Sequence, residues 1–158
     1  MPFHWPDRSL DGLWHTVPVD VFELARRYGL EIHDRFLPDE VGGIMHKFEG
    51  KSYLYLNRIH QPERGRFTVA HELAHHLAHR TGIYMSSPFG SKPQERLADE
   101  IAAEILMPAA EVRRCRREGM GLEEMAKHFI VSKEAIRIRV EQVEEEERQR
   151  TAQRLRTL

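Results

Sequence analysis

The sequence predicts an α+β fold, a small three-stranded, mainly antiparallel sheet packed on a histidine-bearing helix and followed by a helical C-terminal half. Three observations predict it. Short runs rich in β-branched and aromatic residues, bounded by glycine-containing turns, occupy residues 30–57. The run from Phe67 to His79 keeps apolar residues on most faces, as a largely buried helix does. Helical periodicity, punctuated by proline and serine, then continues from Ser91 to Val140.

A chain of 158 residues with 41% hydrophobic content can bury one core and a small appendage. Its formal net charge of −1 argues against a general polyanion binder. No stretch approaches ~18 apolar residues, and the N-terminus lacks a basic region followed by an apolar run. Neither a membrane span nor a signal peptide is therefore expected, and the expected location is cytoplasmic. The expected organisation is an extension over 1–16, a core over 17–118, a helix-turn-helix-like segment over 119–140 and a charged helical tail over 141–158.

Taken in order, residues 1–16, with Trp5 and Trp14 among prolines and charges, read as an irregular extension. Asp20 to Tyr28 reads as a short helix closed by Gly29. Strands are expected at Leu30 to Arg35, Val41 to Phe48 and Ser52 to Asn57, the last two joined by a turn at Glu49-Gly50. Alternation in Tyr53-Leu54-Tyr55-Leu56 is weak, so that strand is expected to be covered on both faces.

His71-Glu72-Leu73-Ala74-His75 is the most informative stretch. One helical turn places His71 and His75 one above the other, within reach of a single divalent cation, and turns Glu72 into the same cleft. Two neutral imidazoles leave a metal strongly Lewis-acidic, and an unligated carboxylate beside them can take the proton from water as it attacks a carbonyl. With 10 His and 19 Glu in the chain, random order yields H-E-x-x-H roughly 0.07 times, so context must carry the rest. The context is apolar. Buried His, Glu and His without partners would each cost a few kcal/mol, and a metal satisfies them together. The competing reading is a helix with surface histidines that happen to recur.

A hydrolytic zinc centre takes three protein ligands. His79 continues the ladder, yet along an unbroken helix it lies two turns, about 12 Å, from His71, too far to share one ion. No glycine reverses the chain before Gly82. Glu95 is the better candidate, twenty residues beyond His75 on a helix that Ser91 and Pro93 begin and Pro108 ends. Asp99 lies one turn further on the same face, where a carboxylate can hold the second ring nitrogen of His71 or His75. The alternative makes Glu95, Asp99 and Glu100 the solvated face of an amphipathic helix. Zinc is the expected metal, with manganese also compatible with two imidazoles and a carboxylate.

Arg66-Phe67-Thr68-Val69-Ala70-His71-Glu72-Leu73-Ala74-His75, followed by Glu95-x-x-Ala98-Asp99-x-Ile101-Ala102-Ala103-x-Ile105-Leu106-Met107-Pro108, resembles the ImmA/IrrE family of metallopeptidases. The resemblance extends over roughly residues 17 to 140. It implies a gluzincin-type site with His71, His75 and Glu95 as ligands and Glu72 as general base and acid. It also implies cytoplasmic proteolysis of a helix-turn-helix repressor or antitoxin-like protein, linked to stress responses or mobile elements. Two positions depart from the family pattern: Ala74 stands where glycine is common, and Asp99 where asparagine is common.

Three further expectations concern surroundings. One strand edge is expected to pair with an extended substrate backbone. The loop Thr81 to Pro93 lies between the metal-binding helices, and Tyr84 or His76 is a candidate for oxyanion stabilisation. The single cysteine, Cys115, excludes an intramolecular disulfide and, flanked by arginines, would be reactive if exposed.

Leu122 to Val140 reads as two helices about a turn, with Ala126, Val131, Ile136 and Val140 at core positions and Ser132 as a cap. Lys133, Arg137 and Arg139 would make the second helix basic, so DNA binding is the alternative function. Against it stand Ile130, where such turns use a small residue, and the glutamates from Glu141 to Glu147. A packing or repressor-docking role is preferred. The tail is expected to pair Glu144 with Arg148 and Glu146 with Arg150.

Overall fold

The computed structural model describes residues 16–82 and 90–157. Trp5, Trp14 and Tyr84 lie outside the described residues, as does most of the loop expected from Thr81 to Pro93.

Helix α1 (Val21–Arg27) begins where the Asp20 carboxylate accepts from the Glu23 N–H at 3.0 Å, and the chain turns at Gly29 with φ +87°. Strands β1 (Leu30–Arg35), β2 (Gly43–Phe48) and β3 (Lys51–Asn57) form one sheet in the order β1-β3-β2. The α+β class and the three strands are as expected. The sheet is mixed, however: β2 pairs antiparallel with β3, while β1 pairs parallel with it. After β1 the chain crosses the end of β3 and enters the sheet on the far side.

Asn57, buried at the end of β3, fastens that crossing. Its amide donates to the carbonyls of Leu37, Pro38 and Val41 at 3.1, 3.0 and 2.9 Å, and its Oδ1 accepts from the Ile59 N–H. The β2–β3 hairpin closes through Glu49 (φ +48°) and Gly50 (φ +77°), a two-residue turn whose twist matches that of the strands. In β3, Ser52, Leu54 and Leu56 are buried on one face. Tyr53 and Tyr55 on the other are only half-buried, beside His33.

Helix α2 (Pro62–Arg80) packs against α1, β2, β3 and α3 (Lys92–Leu106). Its Val69, Ala70, Leu73, Ala74 and Leu77 join one core with Leu24, Leu30 and Leu54, and with Ala98, Ile101, Ala102 and Ile105 of α3. Pro93 lies in the first turn of α3, while the Ser91 hydroxyl makes no capping bond. Gly43 allows β2 to approach α2 closely, because a Cβ there would meet the Leu54 side chain at 2.9 Å and that of Thr68 at 3.0 Å.

Three helices follow: α4 (Ala109–Arg117), α5 (Leu122–Phe129) and α6 (Lys133–Arg156). Ser132 caps α6, accepting from the Ala135 N–H at 3.1 Å. Ile130 is left-handed at φ +52°, a conformation that costs a β-branched residue on the order of 1–3 kcal/mol. Arg66 of α2 offsets part of that cost by donating to the carbonyls of Ile130 (3.2 Å) and Phe129 (3.4 Å). Val131, Ile136 and Val140 are buried as expected, and Ala126 is half-buried.

Two surface expectations change. Arg139 is buried, donating to the Met107 carbonyl at 3.0 Å and pairing with Glu104, so it does not belong to a basic exposed face. Arg137 is held between Glu134 and Glu141. The tail glutamates also pair elsewhere than expected, because α4 lies alongside α6: Glu144 reaches Arg116 at 2.9 Å and Glu147 reaches Arg113 at 3.6 Å, while Arg148 pairs with Glu145. No helix among the described residues is long and apolar enough to cross a membrane.

Candidate metal centre

The one-turn spacing on α2 stacks His71 and His75 edge to face, with ring centroids 4.7 Å apart. Glu95, in the first turn of α3, arrives from the facing helix. His71 Nε2 lies 3.1 Å from His75 Nε2 and 3.2 Å from Glu95 Oε2, and His75 Nε2 lies 3.3 Å from Glu95 Oε1. Tetrahedral donors about 2.0–2.1 Å from a zinc ion are separated by about 3.3 Å, close to each of these spacings, and one donor atom from each of the three residues lies within 4.8 Å of the others. The buried alanines Ala70, Ala74, Ala98 and Ala102 flank these residues along both helices.

The arrangement of ring nitrogens and carboxylates suits a cation at this point. His71 Nδ1 donates to Asp99 Oδ1 at 2.8 Å, and its Nε2 faces the Glu95 carboxylate and the His75 ring. Burial, reinforced by repulsion from a protonated His71, pushes the His75 pKa below its ordinary value, which favours the neutral, ligating ring. A divalent ion at this point would take a lone pair from each ring and one from the Glu95 carboxylate. The donor set therefore fits a zinc ion.

Glu72 lines the same cleft. Desolvation raises its carboxyl above the usual range, opposed by the nearby His71 charge and reinforced by that of Glu95. A carboxylate raised in this way is better matched to accepting and returning a proton near neutral pH. The cleft holds about 490 Å³ and is lined by Met45 and Lys47 of β2, by His71, Glu72, His75, His76 and His79 of α2, and by Gly90 and Glu95.

The structure brings His71, Glu72, His75, Glu95 and Asp99 together, with Asp99 on His71 rather than on His75. His79 lines the wall but stands outside the ligand triangle. His76 commits Nε2 to the Tyr28 carbonyl at 2.9 Å, so that nitrogen is not available to an oxyanion. Sequence reasoning missed the contribution of β2. Its signal was the alternation of Met45 and Lys47 with Gly43, which places both side chains on the face toward α2 and lets the strand approach that helix at the glycine.

A second group, Glu111, Cys115 and His128, also has donor atoms close together. There the Glu111 carboxylate already binds Arg114 at both oxygens and accepts from His128 at 2.8 Å. Cys115 is buried, and desolvation raises its thiol pKa, contrary to the reactive thiol that exposure would have given.

The family model Peptidase M78, described as the IrrE N-terminal-like domain, matches residues 25–141. No curated protein matches the chain. Among solved structures, a Mycobacterium tuberculosis transcriptional regulator is similar in fold, with a TM-score of 0.60 and 22% identity. The match covers 75% of this chain and 38% of that protein's length.

Proposed function

The chain belongs to the Peptidase M78 family of IrrE N-terminal-like domains, and on that premise we propose that it is a zinc-dependent endopeptidase. The observation that carries the reading is the triangle of His71, His75 and Glu95 donor atoms, with Glu72 in the same cleft and Asp99 on His71. A zinc ion held by His71, His75 and Glu95 would supply Lewis acidity to the attacked carbonyl and acidify water. Glu72 takes a proton from the attacking water as its oxygen bonds to the carbonyl carbon, then returns it to the departing amine as the C–N bond breaks. Asp99 holds His71 through Nδ1 and keeps its Nε2 directed at the centre. Zinc is preferred to manganese because two imidazoles rank among the ligands that bind it more tightly.

The substrate backbone docks on β2. The Asn57 N–H donates to the Gly42 carbonyl at 2.9 Å, and Gly42 lies opposite Asn57 when the ladder register is extended by one residue. Hydrogen-bonded pairs therefore fall at Ile44, His46 and Phe48. The backbone groups of Gly43, Met45 and Lys47 turn to the free edge, where an extended chain can add as a further strand. The substrate is a helix-turn-helix repressor or antitoxin-like protein, a reading supported by family membership and by the structural neighbour, which is itself a transcriptional regulator. Direct DNA binding is disfavoured, since Arg139 is buried and Arg137 is neutralised by two glutamates.

Elemental analysis of the wild type and Glu95→Ala, purified side by side, tests the centre. One zinc per chain with substantial loss in the variant is expected; no zinc in the wild type after zinc addition overturns the reading. Glu72→Gln should retain zinc while cleavage of the repressor falls by roughly 10²–10⁴, the usual contribution of a general base. Undiminished cleavage would remove Glu72 from the mechanism.

A further inference from the structure

The cleft extends past the ligand triangle, along α2, toward the end of β2. There Lys47 and His79 face each other across the wall. Gly43 lies against Thr68 early in α2, whereas Lys47 lines the cleft together with His76 and His79 near the helix end, so β2 and this part of α2 run in the same direction. A substrate strand on the β2 edge therefore passes the centre beside Met45 and meets Lys47 about two residues, or roughly 7 Å, further along.

Lys47 makes no ion pair among the described residues, whereas Lys51, across the hairpin, lies 3.9 Å from Glu31, and Arg64, Arg66 and Arg80 of α2 donate to backbone carbonyls. The Lys47 charge lowers the pKa of His79 after the larger effect of burial, and that of His76 after burial and the Arg80 charge. Among the described residues, the acids lining this cleft are Glu72 and Glu95, which the proposed centre engages. The far end of the cleft therefore carries a positive charge without a countercharge among those residues, on a side chain that solvent and substrate can reach.

The geometry points to Lys47 as a specificity-determining residue that selects a substrate with a carboxylate, supplied by an Asp or Glu side chain, beside the scissile bond. This rests on the endopeptidase reading and deepens it. Only the ammonium group carries the selection, because the Lys47 backbone pairs with any extended chain. An acidic side chain reaching Lys47 gains an ion pair, whereas a basic one meets repulsion at the same place.

The test uses zinc-loaded full-length protein and two series of peptide hydroxamates, extending to either side of the metal-chelating group and differing only in Glu, Gln or Lys at each position. Calorimetry gives the dissociation constants without requiring turnover. In one series, at one position, Glu should bind roughly fivefold more tightly than Gln, and Lys more weakly than both. Lys47→Met should bring the Glu/Gln ratio to about one, and Lys47→Glu should reverse the order to favour Lys. A control peptide whose sole carboxylate is its C-terminus, compared with its amide, separates side-chain from chain-end recognition; selection of the chain end alone overturns the side-chain assignment. Equal affinities in the wild type, or a preference that persists in Lys47→Met, overturn the inference while leaving the metal centre standing. Absence of any zinc-dependent hydroxamate binding removes the endopeptidase reading, and this inference with it.

Discussion

Asp99 illustrates how much one carboxylate can determine. Its contact with His71 Nδ1 fixes the tautomer, and the tautomer decides whether Nε2 is a donor or a lone pair. Asp99→Ala should therefore weaken zinc binding about 10- to 100-fold, while Asp99→Asn, which keeps an acceptor oxygen, should lose less. Competition with a chromophoric chelator measures both, and unchanged affinity in the alanine variant would make Asp99 a bystander. A different carboxylate governs acid stability. Glu111 is held down to about 2 from its ordinary 4.5, first by hydrogen bonds from Arg114 and also by His128. Because the folded value is depressed, the unfolded chain binds the proton first: the stabilisation is complete above about 4.5 and is lost as pH falls toward 2. Glu111→Gln should flatten the fall in urea midpoint over that window, and an unaltered acid limb would show that other carboxylates control it.

The helices and strands show which parts of the sequence were readable and why. H-E-x-x-H was legible because one helical turn relates its two histidines, so spacing alone fixes their geometry. Glu95 was legible as the next carboxylate on a well-punctuated helix, and Asp99 as its neighbour one turn on. The choice of His71 over His75 as its partner was not, because it depends on how α2 and α3 cross. The parallel β1–β3 pairing was hidden for a similar reason: strand direction follows from the path that Asn57 fastens, and no local pattern encodes it. Arg139 misled in the opposite way. In sequence it is one more basic residue of a recognition-like helix; in the fold it ties α6 to the end of α3 through Glu104 and the Met107 carbonyl. Arg139→Ala should therefore act through packing, leaving Glu104, already raised by burial, and the carbonyl without this partner. A loss of roughly 2–4 kcal/mol is expected by urea unfolding. A loss below about 0.5 kcal/mol, as at an ordinary exposed site, would return Arg139 to the surface.

Across the whole molecule, the proposed ligands divide between two helices that share the core, so metal binding and folding stability must be linked. The unfolded chain separates His75 from Glu95 by twenty residues and has no preformed triangle. An ion that binds only the folded state adds RT ln(1 + [L]/Kd), about 2.7 kcal/mol when free zinc is a hundredfold above Kd. For a chain of this length that corresponds to a rise in Tm of roughly 5–10 °C. The rise should shrink strongly in Glu95→Ala, which removes one of the three donors. Hydrogen exchange gives the same linkage a location. Protection should increase in both α2 and the first turns of α3, since the ion closes the gap between them, and it should extend to the α5–α6 turn through the Arg66 bonds to Phe129 and Ile130. Zinc-induced protection confined to α2 would mean that the histidines bind metal without Glu95, and the three-donor centre would then be incorrect even if zinc were bound.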